Sequence, residues 1–442
     1  MTEQIQSPGA DEIQRVAALV EEKGIQTVRV SLGDLHGIAR GRAVPAPVFL
    51  NDIARGGMYM TNFLLAIDSA CGIAPITSID LTNGFPNWRM VPDLTTFTLL
   101  PWAPGQARVL ADLCDPDGHP AAMPRSLLKR VLAQAHEAGF TVDSALEYEF
   151  YVFRRDATGN PVPFDTTIQY SSELVHARAE EVWAPIFAAM PEMGIGVEAV
   201  SHEYSPAQLE INLTHQRGLR AADDGFQFKT SVKELLDRRG LLATFMAKPL
   251  NGSNGNGCHL HVSLLDREGR NLFDDRSAEH GVSNLFWRFL AGQVRHARGM
   301  MALTSPTLNC YKRVVPNRFA PLTATWGFED RTTLIRIPLQ RGSATHQENR
   351  IASAAANPYL VTAAIVAAGL DGIKRDVDLP PEADALPRSM PEALAALQVD
   401  DLIADTFGEQ FIRDYVAIKT MEVERAQMYV TDWDRQEYME MF

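Results

Sequence analysis

Residues Lys248–Leu264, KPLNGSNGNGCHLHVSL, constrain the fold more than any other stretch. A loop of Gly252, Gly255 and Gly257 interspersed with asparagines runs into a segment that alternates polar and apolar residues. Side chains at every second position of a strand share a face. His259, His261 and Ser263 therefore point one way, and Cys258, Leu260 and Val262 the other. A Gly/Asn loop lets backbone N–H groups approach an anion closely. Two histidines just beyond it can supply a metal ligand and a hydrogen-bond donor. The stretch reads as the wall of an anion- and metal-binding site.

Acidic residues recur in three other places. Glu147 and Glu149, in LEYEF, lie on one face of a strand, and like charges that close require a cation beside them. Glu203 and Glu210 flank a Ser-Pro turn that can bring both towards one point. Glu348 and Arg350, in HQENR, form an acid–base pair that on its own reads as a surface ion pair of little worth. Oxygen-rich ligation with one histidine suits Mg²⁺ or Mn²⁺ better than Zn²⁺. Five glutamates and a histidine suffice for two such ions, an arrangement that clamps a transferring phosphate. Arg313, Arg318, Arg331, Arg336, Arg341 and Arg350 add side chains suited to bidentate capture of carboxylates and phosphates.

The formal charge of −14 over 442 residues argues against nucleic acid or an anionic membrane as partner. Cys71, Cys114, Cys258 and Cys310 lie far apart with no CxxC pair, which fits a reducing compartment. No signal peptide is expected from the polar N-terminus, and no apolar run is long enough to span a membrane. The expected location is the cytoplasm.

Helical spacing predicts helices over 11–23, 124–138, 177–190, 221–239 and 281–303, with an Ala-rich buried helix over 357–372. A hairpin is expected from Val28–Leu32 and Ala39–Val44 around the turn Asp34–Gly37. Short strands broken by Pro86, Pro92, Pro101 and Pro104 follow. Strands are also expected over 140–153, 197–213 and 334–338. The turn-rich segment Asp112–Pro124 divides a small domain, 1–111, from a larger one, 112–442. The expected class is α+β, with a sheet curved around a cavity.

With these stretches in hand the chain resembles the glutamine synthetase family. KPLNGSNGNGCHLHVSL, EYEF, HEYSPAQLE, YKRVVPN and RTTLIRIP followed by ENR stand in family order over essentially the whole length. The resemblance implies an N-terminal β-grasp domain and a catalytic domain whose curved antiparallel sheet forms half a barrel backed by helices. It implies a homo-oligomer of stacked hexameric rings, a homododecamer, in which one subunit's small domain closes its neighbour's site. It implies that Glu149, Glu203 and Glu210 hold one metal and Glu147, His259 and Glu348 a second among the phosphates of ATP. His261 and Ser263 would contact the nucleotide. Gly255, Arg313 and Arg350 would hold glutamate, and Arg331 and Arg336 the transferred phosphoryl group. The implied chemistry is ATP-dependent: glutamate becomes γ-glutamyl phosphate, an uncharged amine attacks it, and phosphate leaves.

The chain departs from ammonia-using members at two places. Gly57–Asp68 lacks the Asp-Gly-Ser-Ser segment whose aspartate serves ammonium, and Phe319 stands where a flap glutamate is expected. An aromatic ring cannot accept a proton, but it can line an apolar pocket or face a cation. The expected activity is therefore a glutamate–amine ligase using an organic amine, methylamine or another alkylamine first. The alternatives are an ammonia-using glutamine synthetase, a γ-glutamylpolyamine synthetase, a non-catalytic family member and a guanidino kinase. Glu329 is the residue that would serve if the flap were displaced in register. His346 stands where many relatives carry an arginine near the nucleotide. Lys374–Pro381 lacks the tyrosine that some members adenylylate.

Overall fold

The computed structural model describes residues 4–79, 82 and 84–442, so the first three residues of the polar N-terminus lie outside the described set. The first sheet has the order β2-β1-β5-β4-β3, formed by β1 (Thr27–Gly33), β2 (Ala39–Pro45), β3 (Met58–Thr61), β4 (Asn87–Leu99) and β5 (Gln106–Cys114). The helix Ala10–Glu22 covers it with Ile13, Val16 and Val20, the stripe that its 3.6-residue period predicts. β1 and β2 form the expected hairpin, while β1 and β5 are parallel.

The prolines do not cut this part into short strands. Pro92 lies inside the 13-residue β4 and pairs with Ala111. It is accommodated where β3, which pairs only with residues 87–90, has already ended. β5 carries the sheet through Asp112 to Cys114.

The second sheet is built on β6 (Thr141–Arg155), a strand long enough to bond to several neighbours in succession. These neighbours include β7 (Pro161–Pro163), β9 (Gln208–Leu213), β10 (Gln216–Arg217), β11 (Leu241–Thr244) and β12 (Cys258–Leu265). β8 (Val197–His202) extends it beyond β9. β15 (Gln347–Asn349), β14 (Ile335–Ile337) and β13 (Trp326–Phe328) extend it beyond β12. The sheet is antiparallel except that β13 and β14 run parallel, so it is mixed and not wholly antiparallel as expected.

Tyr148, Phe150, Cys258, Leu260 and Val262 are buried on the core face, as alternation requires. Helices back that face. Asn284–Thr304 and the Ala-rich Pro358–Lys374 pack so closely that a Cβ on Gly292 would sit 2.0 Å from the Ala368 carbonyl oxygen. The helix expected over 177–190 is two helices, Glu173–Arg178 and Glu180–Glu192, broken at Ala179. The four cysteines are free thiols, and no helix among the described residues is long and apolar enough to cross a membrane.

The two sheets are joined through buried charge. Arg125, on the helix Pro124–Glu137, reaches Asp93 of β4, Asp112 of β5 and Asp223 of the helix Leu219–Asp237.

Candidate active site

Register places the acids in rows across the polar face of the second sheet, since directly paired residues on adjacent strands project their side chains together. One row is His259–Glu147–Asn212, from β12, β6 and β9. The next is Glu149–Glu210–Ser201, from β6, β9 and β8. A third is His261–Glu348–Arg336, from β12, β15 and β14. Glu203 enters from the hairpin between β8 and β9, where its backbone N–H donates to Gln208 O at 3.0 Å. The turn closes through Ala207 at φ +57°.

The cluster has two electrostatic halves. In the first, His259 Nδ1 lies 2.6 Å from Glu147 Oε1 and 3.3 Å from Glu348 Oε1. His261 Nε2 lies 3.2 Å from Glu147 Oε2. Arg336 donates to Glu348 Oε2 at 2.5 Å and to Glu329 Oε2 at 2.6 Å, and Arg350 is ion-paired with Glu348. Burial works to raise the Glu348 carboxyl, but the charges of Arg350, His259 and His261 outweigh it and hold it at about 2. Glu147 is likewise held well below the usual carboxylate range, its burial outweighed by His259 and His261. Far from a surface pair, Glu348 and Arg350 are both buried.

In the second half carboxylates crowd one another. Burial and the charge of Glu149 push Glu203 up to about 7. Burial and the charges of Glu147, Glu149, Glu203 and Glu348 push Glu210 up to about 10. Carboxyls displaced this far by burial and by one another's charge are a donor set that divalent cations complete, because a cation offsets both the desolvation and the repulsion. Ligand atoms of Glu147, His261 and Glu348 all lie within 4.8 Å of one another. The residues therefore fit metal, and His261 stands beside His259 as a candidate ligand as well as facing an adjoining cleft.

That cleft is lined by Glu147, Asn212, His215, His261, Arg336 and His346. His346 Nε2 lies 3.0 Å from His261 Nδ1, and burial together with the charge of His261 lowers it to about 4. Ser263 is buried opposite Asp143. Arg313 is buried, its guanidinium donating to the Ile351 and Arg350 carbonyls at 3.4 and 3.2 Å. Arg331 is not drawn into the cluster: it is exposed, with Glu329 a charged neighbour.

The glycine loop works differently from expectation. The Gly257 N–H donates to Glu149 Oε2 at 2.8 Å, so the anion it holds belongs to the protein. Gly255 lies against Arg313, and a Cβ there would meet Arg313 Cγ at 2.6 Å. A Cβ on Gly257 would meet His259 Nε2 at 2.7 Å and Glu149 Oε1 at 3.2 Å. Gly257→Ala is expected to displace His259 and raise the metal concentration for half-maximal activity roughly 10- to 100-fold. An unchanged metal dependence in a titration of activity would remove His259 from the metal's ligands.

Three polar residues at the site escape a reading of acids alone. Gln208 donates to Glu149 Oε2 at 3.2 Å, and Asn212 to Glu147 Oε2 at 2.6 Å. Both share the face of Glu210 at spacing two, a signal present in the sequence. His215, 3.2 Å from Asp143, has no such signal.

Phe319 lies on the segment 313–321, with its backbone at φ +59°. Its ring stacks on Tyr204, beside Glu203, at 5.7 Å between centroids. Arg318 ties the same segment to Asn254 of the glycine loop at 3.1 Å. Glu329 is engaged elsewhere, accepting from Arg336 and from the Leu339 N–H at 2.8 Å.

Residues 121–438 match the family model for the glutamine synthetase catalytic domain. A glutamate–isopropylamine ligase from a Pseudomonas species is 32% identical over 97% of this chain and 98% of its own length. A glutamine synthetase from Thermotoga maritima is 34% identical over 97% of this chain and 99% of its own. A solved structure of a GmaS/ADP complex superposes with a TM-score of 0.86 at 31% identity, covering 96% of this chain and 99% of that one. Fold, site and relatives agree: the chain belongs to the glutamine synthetase family and is an ATP-dependent carbon–nitrogen ligase.

Proposed function

We propose that this protein forms a γ-glutamyl amide from L-glutamate and an organic amine, a small alkylamine such as methylamine foremost, through γ-glutamyl phosphate. The observation that carries the reading is Phe319: an aromatic ring, stacked on Tyr204, occupies the flap beside Glu203. The nearest candidate for a substitute flap acid, Glu329, is spent on Arg336. The likeness to a glutamate–isopropylamine ligase and to GmaS supports the same reading.

In this reading Glu149, Glu203 and Glu210 hold one divalent ion, Mg²⁺ or Mn²⁺, and Glu147, His259 and Glu348 hold a second. Bound there, the ions neutralise charge on the transferring phosphoryl group. His261 and Ser263 face the nucleotide, and Gly255, Arg313 and Arg350 receive glutamate. Arg336 steadies phosphoryl oxygens, for which it gives up Glu348 and keeps Glu329, and Arg331 joins it by moving inward from its exposed position. A γ-carboxylate oxygen takes the terminal phosphoryl group from ATP, releasing ADP. The neutral amine nitrogen then attacks the acyl carbon, phosphate departs, and the amide nitrogen loses its extra proton. The first sheet, whose strand β5 runs past the expected boundary at residue 111 to Cys114, acts as a β-grasp domain closing a neighbour's site in a cytoplasmic assembly of stacked hexameric rings.

The test is phosphate release with ATP, glutamate and either ammonia or an alkylamine panel. The expected result is higher kcat/KM with an alkylamine than with ammonia. Phe319→Glu should shift that ratio roughly tenfold or more towards ammonia, since a charged hydrogen-bonding contact is worth about 1.5–3 kcal/mol. A ratio unchanged by the substitution would remove Phe319 from amine selection.

A further inference from the structure

Three aromatic rings from distant segments form one column at the edge of the acid cluster. Tyr170 and Tyr204 stack at 4.5 Å with an interplanar angle of 8°, and Tyr204 and Phe319 at 5.7 Å and 24°. Each ring is about half exposed, at 50%, 49% and 46%. Large rings that stack in the open are unusual, because a folded chain gains more by burying them.

The column is held in place. Tyr204 directly follows Glu203 and donates its N–H to that carboxylate at 3.3 Å. Ser171, next to Tyr170, donates its N–H to His202 O at 3.2 Å. Asn254, which bonds Arg318 of the flap, also donates its N–H to Ser205 Oγ at 2.8 Å. Phe319 itself, Ser171 beside Tyr170 and Ala207 at the hairpin tip are all non-glycine residues at positive φ. Strain of this kind persists where surrounding structure holds a side chain in one place, and it gathers at functional sites.

We infer that Tyr170 and Tyr204, together with Phe319, form the wall that selects the amine, and that the selected class is a primary amine carrying a hydrocarbon group. The inference rests on the glutamate–amine ligase reading above and extends it to two residues not assigned there. Its chemistry has two parts. The acids beside Glu203 attract the ammonium form that amines adopt in water, and the ring faces add a cation–π attraction. The hydrocarbon group then covers ring surface that ammonia leaves wet. Tyr204 joins the two regions because it touches both Glu203 and Phe319.

The experiment compares KM and kcat for methylamine, isopropylamine and ammonia, and KM for glutamate and ATP, in the parent enzyme and in four variants. These are Tyr170→Ala, Tyr204→Ala, Tyr170→Phe and Tyr204→Phe. The expected result is a rise of tenfold or more in amine KM for each alanine variant, with glutamate and ATP KM within twofold. Each phenylalanine variant returns amine KM to within twofold, because the ring and not the hydroxyl makes the wall. Amine KM within twofold in the alanine variants, a parallel rise in glutamate and ATP KM, or phenylalanine variants as impaired as alanine would each overturn the inference. A parent enzyme that prefers ammonia overturns the underlying reading as well. One that prefers amines but ignores loss of the rings overturns the column alone.

Discussion

Glu210→Gln is expected to lower ligase turnover by roughly 1,000-fold while raising the stability of the metal-free protein at alkaline pH. Both effects have one cause. Burial and four neighbouring carboxylates push Glu210 up to about 10, so in the absence of cations its charge is the most strongly opposed in the cluster. Glutamine removes that charge and with it the attraction for the cations on which phosphoryl transfer depends.

The pH dependence follows from the direction of the shift. A carboxyl whose folded value exceeds its ordinary 4.5 binds its proton more tightly in the folded state. Its stabilising contribution is therefore full below about pH 4.5 and is lost as pH rises through the folded value. For Glu203 that loss runs through about 7, and for Glu210 through about 10. Glu348, held at about 2, works in the opposite sense: its contribution is present above 4.5 and lost as pH falls through 2.

In chelator, the variant should melt with the parent near pH 5 and a few degrees above it by pH 9. Comparing the two cancels Lys229, which burial lowers to about 7 and which titrates over part of the same range. A variant that melts below the parent throughout, or that keeps its activity, would show Glu210 to be a structural residue.

Arg125→Met is expected to destabilise the fold by about 3–5 kcal/mol, the range for breaking a buried charge network by removing one partner. Arg125 donates to Asp223 through Nε and Nη2 at 2.8 and 2.9 Å, to Asp112 at 3.0 Å and to Asp93 at 2.7 Å. Tyr359 completes the set by donating to Asp223 at 2.7 Å. Without the guanidinium, Asp112 keeps Lys129, but Asp223 is left buried with the Tyr359 hydroxyl alone from this set. The loss should appear as a lower melting temperature and a lower denaturant midpoint. A variant melting within a degree of the parent would show that solvent replaces Arg125 at little cost.

Much of the site was legible because strand periodicity is a local property. The spacing of two in Glu147/Glu149 and His259/His261 assigns each pair to one face, and the buried Tyr148, Cys258 and Leu260 confirm the other. Register between strands is not local, and it decides that Asn212 lies opposite Glu147 and Glu210 opposite Glu149. Burial is equally hidden: Glu348 and Arg350 read as a surface pair until β15 is seen between β12 and β14. Proline misled in β4, where Pro92 occupies a strand position without ending the strand. The loop glycines were correctly drawn to an anion, but Gly257 holds the side chain of Glu149. The ring column had no linear signature, since Tyr170, Tyr204 and Phe319 meet only through the hairpin and the flap.

The most direct measurement offers the enzyme ATP, glutamate, and methylamine and ammonium at equal concentration, and identifies the products by mass. γ-Glutamylmethylamide is the expected main product, formed with one ADP and one phosphate per amide. Glutamine as the main product would contradict the amine-ligase reading.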